Sequence, residues 1–385
     1  MIYLDNAAST QVHEKVVDEM IPYFTEQFGN PSSIHKYGRI ASMAVQNARK
    51  RIAGLINAEP KEILLTSGGT ESNNTVLFGI VYKSKGKHVI TSSIEHDAIL
   101  EPCRRLKEYG YHVTYLPVDK YGLVDPEDVK REVTSDTCLI SIMFANNEVG
   151  TIQPIKEICE IAHGNNILMH TDAVQAIGKT PIDVKDLGID LLSISSHKIN
   201  GPKGIGALYI KNGTKLDPLI LGGGQENGLR SGTENMPNIV GFGKACQLAK
   251  ENMEQNETHF RKLATKLITK VLQEIPYATL NGHPEKKIPN NAHFTFVGVN
   301  GEDLIVKLDE NGIAASTGSA CSVRIQKASH VLKAMGFSHE QISGSLRLTI
   351  GITNTEKEID DTVEILKNVV AELRMVSPYK KKYNF

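Results

Sequence analysis

The chain has 385 residues, of which 40% are apolar and 23% charged, as in an ordinary globular protein with a large core. Lys and Arg number 43 against 44 Asp and Glu, and the net charge of -1 argues against a nucleic-acid or membrane-surface partner. No segment approaches the roughly 20 consecutive apolar residues of a membrane helix. The N-terminal MIYLDNAAST meets Asp5 before any apolar run, unlike a secretion signal.

Short β-branched runs alternate with amphipathic helical stretches over the first two-thirds of the chain. Seven segments have the pattern of strands: 62–66, 88–91, 112–117, 137–144, 167–171, 190–194 and 207–210. Helical patterns lie between them, at 39–57, 71–83 and 154–163. Several of the strands are nearly continuous apolar runs, typical of a parallel sheet buried on both faces. This alternation predicts an α/β domain with helices on both faces of a mainly parallel sheet.

The pattern changes after about residue 252. A long amphipathic helix at 254–274 is followed by strand-like segments at 291–296 and 345–349, and by a final helix at 356–373. This order of elements predicts a second, smaller α+β domain.

The segment SGGTESNN, residues 67–74, follows the first predicted strand. Its two glycines and its hydroxyl side chains open a helix, so backbone N–H groups converge at a positive helix end. Such an end suits a phosphate monoester. Capping of the helix by Ser67 or Thr70 explains the segment equally simply, and Gly-rich turns are common.

Polar side chains follow the next four strands as well. They are His96, Asn147, Asp172 with Gln175, and Ser195 with His197 and Lys198. Ligands of open α/β sheets lie beyond the carboxyl ends of the strands, where these residues should meet. A lone histidine there is usually structural, and Asn147 alone is explained as a turn residue. Burying the whole set without a ligand would be costly.

Pyridoxal phosphate accounts for the set. It requires a lysine that forms a Schiff base and an acid that keeps its pyridine nitrogen protonated. Lys198 follows a buried strand, where desolvation and a nearby cation would lower its pKa and free the amine. Asp172 is the natural acid. Each has a simpler explanation, as a surface lysine and as a helix cap.

The five cysteines give no sign of a disulfide framework or a zinc site. They are odd in number, widely spaced and without a C-x-x-C motif: Cys103, Cys138, Cys159, Cys246 and Cys321. Without H-E-x-x-H or a similar motif, we predict no resident metal. Unpaired thiols are typical of a reducing compartment, so we predict a cytoplasmic protein.

Cys321 differs from the other cysteines because only small and polar residues surround it in STGSACS. We predict that it lies in an exposed loop, and its reactivity requires local activation of the thiol. Arg347, in SLRLTIG, is either a member of a structural ion pair or a clamp for a substrate carboxylate.

These motifs together resemble the cysteine desulfurases of the class V aminotransferase family. The resemblance runs nearly end to end, through YLDNAAST, FGNPSSIH, SGGTESNN, NNEVG, HTDAVQ, SSHKINGPKGIG, GGGQENGLRSGTEN, STGSACS and SLRLTIG. It implies the fold of type I pyridoxal-phosphate-dependent transferases. It also implies a large cofactor-binding domain of residues 12–252 and a small domain formed by residues 1–11 and 253–385.

The resemblance further implies a role for each site residue. Lys198, His96 and Cys321 would be catalytic, with Lys198 on the cofactor and His96 stacked on its ring. Asp172 and Gln175 would bind the pyridine nitrogen and the phenolic oxygen. The phosphate would be held by Gly69, Thr70, Ser195, His197 and, from the partner subunit of a homodimer, Thr233. Asn147 and Arg347 would bind the carboxylate of L-cysteine.

The implied product is alanine, with a persulfide on Cys321 that passes to an iron–sulfur scaffold or another acceptor protein. The 25 residues between Cys321 and Arg347 match the long-loop group of the family. Ala328 stands at a position where close relatives often have proline. A further role left open by the sequence is that of Cys321 as a ligand of a transient iron–sulfur cluster shared with a partner protein. The alternatives are a selenocysteine lyase, a class V aminotransferase and a non-catalytic sulfur-relay scaffold.

Overall fold

The computed structural model describes residues 1–317 and 328–383. The described strands are β1 Ile2–Tyr3, β2 Ile63–Thr66, β3 His88–Ser92, β4 His112–Leu116, β5 Thr137–Ser141, β6 Leu168–Asp172, β7 Leu191–Ser195, β8 Gly206–Ile210, β9 Ala278–Asn281, β10 Asn291–Phe296, β11 Ile313–Ala314 and β12 Ser345–Thr349. The described α-helices are α1 Glu14–Met20, α2 Pro22–Thr25, α3 Lys36–Leu55, α4 Gly69–Lys83, α5 Asp97–Glu108, α6 Pro126–Glu132, α7 Ile155–Gly164, α8 Met236–Glu251, α9 Met253–Glu274, α10 Gly301–Glu310, α11 His330–Ala334, α12 His339–Ser343, α13 Glu356–Met375 and α14 Lys380–Tyr383.

Seven strands form the main sheet in the order β2-β8-β7-β6-β5-β3-β4. All neighbouring pairs are parallel except the two that β8 makes with β2 and β7. Because β8 reverses direction between them, β2 runs the same way as β7. The carboxyl ends of β2, β3, β5, β6 and β7 therefore lie at one edge of the sheet, where a ligand site is expected.

Helices cover both faces of this sheet, and alternate strand residues point into two separate apolar layers. On one face, Ile140 and Leu192 lie in a core with residues of α3, α7 and α8. On the other face, Leu139 and Leu191 lie in a core with residues of α4 and α5. The sheet is thus buried on both sides, which explains why its strands read as continuous apolar runs.

A smaller antiparallel sheet, in the order β12-β10-β9, forms the base of a third core. Ala292, Phe294 and Phe296 of β10 face this core with side chains from α9, α10 and α13. Leu4 belongs to it too, because the N-terminal segment returns to this part of the molecule. The division of the chain at residues 12 and 253 stays a prediction.

The predicted α/β architecture with helices on both faces is confirmed, and most element bounds differ from the prediction by one to three residues. One predicted strand, 137–144, was too long, because β5 ends at Ser141. Asp172 and Ser195 are the last residues of β6 and β7 rather than residues that follow them. In residues 1–317 and 328–383, no helix has both the length and the apolar content that crossing a membrane requires.

Candidate active site

A cleft of about 450 Å³ opens at the carboxyl edge of the main sheet. It is lined by ten of the twelve residues that the sequence singled out: Gly69, Thr70, His96, Asn147, Asp172, Gln175, Ser195, His197, Lys198 and Arg347. These residues come from five strand ends and from β12 of the smaller sheet. The predicted convergence of the strand ends is therefore observed.

The first turn of α4 forms one end of the cleft. Its N-cap is Gly68, at φ 153°, a conformation that favours glycine, and among the described residues no side chain caps this helix. Capping by Ser67 or Thr70, the simpler alternative, is not found. A Cβ on Gly69 would lie 2.7 Å from Cγ2 of Val174, so glycine lets the start of α4 lie this close to Val174. The free N–H groups and helix dipole make this end a site for an anion.

His197 lies in the same cleft and is held as a neutral imidazole. Burial lowers its pKa to about 4, and the cations Lys198, Lys203 and Lys179 act in the same direction. Its Nδ1 is 3.3 Å from Oγ of Ser9. At neutral pH this ring therefore takes part in hydrogen bonds without adding positive charge.

Asp172 is buried, and both of its carboxylate oxygens are held. Oδ2 accepts a hydrogen bond of 2.6 Å from Nδ2 of Asn73, and Oδ1 accepts one of 2.9 Å from the Val174 N–H. The bond from the Val174 N–H is a capping bond, which is the simpler role that the sequence suggested for Asp172. The same side chain also lines the cleft, so the two roles coexist. The two hydrogen bonds therefore fix the orientation of the carboxylate in the cleft.

The ammonium of Lys198 is anchored by the N-terminal segment. Its Nζ donates to the carbonyl oxygens of Ala7, at 2.6 Å, and Ala8, at 2.8 Å. Nε2 of Gln175 donates to the same Ala7 oxygen at 3.0 Å. Lys198 is therefore a partly buried group of the cleft and not the surface lysine of the simpler explanation.

His96 caps α5 from the rim of the cleft. Its Nδ1 accepts a hydrogen bond of 3.0 Å from the Ala98 N–H, so the ring carries its proton on Nε2. A second histidine, His330, lies nearby, since its Nε2 is 2.9 Å from the Glu95 carbonyl oxygen.

Arg347 joins the smaller sheet to the cleft. Its side chain is 3% exposed, and Nη2 forms an ion pair of 2.9 Å with Asp5. Nη1 donates to the carbonyl oxygen of Asn147 at 2.8 Å. The structural ion pair is thus present, and it holds the guanidinium at the wall of the cleft.

Several residues of the cleft were missed by the sequence reasoning. They include Ala7, Ala8, Asn73, Glu148 and His330. Asn73 offered a signal, because it follows Gly69 by four residues and so lies one turn further along α4. The contacts of Ala7 and Ala8 offered none, since they are made by carbonyl oxygens about 190 residues from Lys198 in the chain.

Comparison with known proteins gives the family. A model described as Aminotransferase class-V matches residues 2–362. The chain belongs to the class-V aminotransferase family. "Cysteine desulfurase IscS" of Methanosarcina thermophila is 53% identical over 383 residues, which are 99% of this chain and 95% of that protein. The protein of the same name from Clostridium botulinum is 50% identical over 386 residues, with 99% and 97% covered.

Solved structures agree with this assignment. A "NifS-like protein" has a TM-score of 0.91 at 38% identity and covers 96% of this chain and 99% of its own. "SspA in complex with cysteine" has a TM-score of 0.81 at 38% identity, with 91% and 99% covered. The predicted membership of the cysteine desulfurases and the predicted fold are confirmed.

Two predicted residues of the desulfurase are not among the lining of this cleft. Thr233 is exposed and lies elsewhere on the same chain. That position accords with a contribution to the partner subunit's site, which stays a prediction. Cys321 lies outside the described residues.

Beside His96, the desulfurase buries a carboxylic acid that should make its stability depend on pH. Glu95 is fully buried, and burial raises its pKa to about 8, with a smaller contribution from the charge of Asp172. Oε1 accepts hydrogen bonds from Ser92 Oγ, at 2.6 Å, and the Met143 N–H, at 2.9 Å. The unfolded chain loses this proton near pH 4.5, so stability should fall as pH rises from about 4.5 to 8.

We expect Glu95→Gln to raise the free energy of unfolding by roughly 5 kcal/mol at pH 9 and to change it little at pH 4. Urea unfolding at both pH values measures the difference. Glu101→Gln, at an exposed site on α5, is the matched control and should show no such pH dependence. An equal effect of Glu95→Gln at the two pH values would contradict a neutral Glu95.

Proposed function

We propose that the chain uses pyridoxal phosphate to remove sulfur from L-cysteine, releasing L-alanine and leaving a persulfide on Cys321. The observation that carries this proposal is the convergence of Lys198, Asp172, His96 and Arg347, from separate parts of the chain, on one cleft. A lysine, a hydrogen-bonded acid, an anion-binding helix end and a buried arginine are the groups that amino-acid chemistry with this cofactor needs.

The residues of the cleft fit pyridoxal phosphate. The uncapped start of α4, with Ser195 and His197, would hold the phosphate, completed by Thr233 of a second subunit. Asp172 would be the acidic partner of the pyridine nitrogen, because two hydrogen bonds fix the orientation of its carboxylate in the cleft. Gln175 would donate to the phenolic oxygen, and His96 would stack on the ring.

The carboxylate of L-cysteine would bind between Arg347 and Asn147. A guanidinium presents paired N–H donors that match a carboxylate, and the ion pair with Asp5 fixes its orientation. The substrate's α-carbon would then face Lys198, the residue that would hold the cofactor.

The bound cofactor supplies an electron sink for the charge that develops at the substrate's α-carbon. Lys198 removes the proton from that carbon, and the carbonyl oxygens of Ala7 and Ala8 direct its Nζ. His96, whose proton is on Nε2, would assist proton transfer at the substrate thiol.

Cys321 acts as the nucleophile towards sulfur. Its thiolate attacks the substrate's Sγ, so an S–S bond forms while the substrate's Cβ–Sγ bond breaks. The electron pair of the broken bond stays with Cβ, which takes up a proton, and Lys198 returns a proton to the α-carbon, so that alanine is formed. The outer sulfur of the persulfide then moves to an acceptor, for iron–sulfur cluster assembly or for thiolation of tRNA or a cofactor.

A homodimer and a reducing, cytoplasmic location complete the proposal. Large apolar side chains are exposed along residues 21–43, among them Ile21, Phe24, Phe28 and Ile34, as expected of a subunit interface. The four described cysteines are all free thiols, which suits a reducing compartment.

The test measures alanine release from L-cysteine with a thiol reductant present. We expect Cys321→Ala to lower the rate of alanine and sulfide release by more than about 100-fold, because no other group replaces the nucleophile. Cys138→Ala, which removes the thiol of a cysteine within the main sheet, is the control and should keep the activity.

Full alanine release by Cys321→Ala would remove Cys321 from the mechanism. A selenocysteine lyase or an aminotransferase would then be the better assignment, with Lys198 still at its centre. Failure of the intact protein to bind pyridoxal phosphate would instead favour a sulfur-relay scaffold.

A further inference from the structure

Lys179 is a buried lysine directly behind the cleft. It is 4% exposed, and burial lowers its pKa to about 7, with Lys198 and Arg347 acting in the same direction. In the described part of the chain, its ammonium has amide partners and no carboxylate partner. A lysine in this environment lowers the stability of the fold at neutral pH, because the unfolded chain holds the proton more tightly.

The contacts of Lys179 lead directly to the cleft. Its Nζ donates to the backbone oxygen of Gln175, at 2.9 Å, and to Oε1 of the same residue, at 3.3 Å. Nε2 of Gln175 donates in turn to the Ala7 oxygen at 3.0 Å, and that oxygen also accepts from Nζ of Lys198 at 2.6 Å. One line of hydrogen bonds therefore joins the two lysines.

The hydrogen-bonding groups on either side of the Gln175 amide determine its orientation. The oxygen faces Lys179 and the nitrogen faces Ala7. A lysine ammonium has three donors and no acceptor, so it selects the oxygen of the amide. A carbonyl oxygen only accepts, so Ala7 selects the nitrogen. With both contacts in place, the amide presents its donor end on the side of Ala7 and Lys198.

We propose that Lys179 is a positioning residue that holds the Gln175 amide with its donor end towards the cofactor. This inference rests on the proposed function, in which Gln175 donates to the phenolic oxygen. Without Lys179, Oε1 loses its donor and the side chain keeps one described contact, to Ala7. The amide can then turn away from the cleft, and the donor to the cofactor is lost.

The experiment compares Lys179→Met with the unaltered full-length chain. We expect about tenfold weaker binding of added pyridoxal phosphate, the loss typical of one directed hydrogen bond, and a shift in the visible absorbance of the bound cofactor. The cofactor-free variant should melt at a higher temperature, because methionine fills a similar volume without the cost of burying an amine.

Lys179→Arg should restore binding, since arginine keeps the donors. Lys179 also lines a second cavity of about 280 Å³, which gives the larger side chain room. The matched control is Lys287→Met, another lysine that burial holds at a lowered pKa, about 8, and that does not line the cleft. It should also melt higher but bind the cofactor with unchanged affinity and absorbance.

The outcomes separate this inference from the proposed function. Lys179→Met with the affinity and absorbance of the unaltered chain would overturn the positioning role and leave the proposed function intact. Absence of binding by the unaltered chain would overturn both. Equal weakening by Lys179→Met and Lys287→Met would assign the effect to the loss of a buried lysine in general, and would also overturn the role.

Discussion

Lys198→Ala is expected to lower kcat for alanine release from L-cysteine by a factor on the order of 10³ or more, the loss typical of a group that both binds covalently and transfers the proton. Lys198 is the single lysine that lines the described cleft, and its neighbour His197 is a weak base because burial lowers the pKa of its ring to about 4. Initial rates at saturating L-cysteine measure this effect.

The matched control is Lys203→Ala, which removes an exposed lysine five residues further along and should keep the activity. A readout independent of activity comes from His197. Because the charge of Lys198 contributes to the lowered pKa of this ring, Lys198→Ala should raise that pKa, although burial keeps it below the ordinary value. Titration of the histidine signals by NMR detects the change, and a fully active Lys198→Ala enzyme would refute the role.

Arg347→Met is expected to damage both substrate binding and stability. The substrate carboxylate would lose its paired donors, so we expect KM for L-cysteine to rise by about 100-fold. The side chain of Asp5, which is 19% exposed, would lose its partner, and breaking a buried pair in this way costs about 3 kcal/mol. Steady-state kinetics and urea unfolding measure the two effects separately.

The double variant Arg347→Met with Asp5→Asn separates the two roles of Arg347. Removing both charges should recover much of the stability, because no unpaired carboxylate is left behind. KM should stay high, because the clamp is still missing. If the double variant recovered KM together with stability, Arg347 would have only a structural role, as a member of the ion pair.

The sequence by itself determined the α/β class and ten of the twenty residues that line the cleft. Strand residues are apolar because both faces of the sheet are buried, so the polar residues that end each strand stand out. Asp172 and Lys198 were found in this way without a long-range contact. The same local pattern could not assign a role, because a capping aspartate and a cofactor-binding aspartate look alike in sequence, and Asp172 has the geometry of both.

Only the tertiary structure decided the direction of β8 and the role of the N-terminal segment. β8 is antiparallel to β7, from which ten residues separate it, too few for a helical crossover of the usual kind. Asp5 reaches Arg347, and Ala7 accepts from Lys198 and Gln175. These contacts join residues about 170 to 340 positions apart, and those of Ala7 use a carbonyl oxygen, which every residue possesses. Local sequence patterns do not predict such partners, because residues this far apart in the chain come into contact only when it folds.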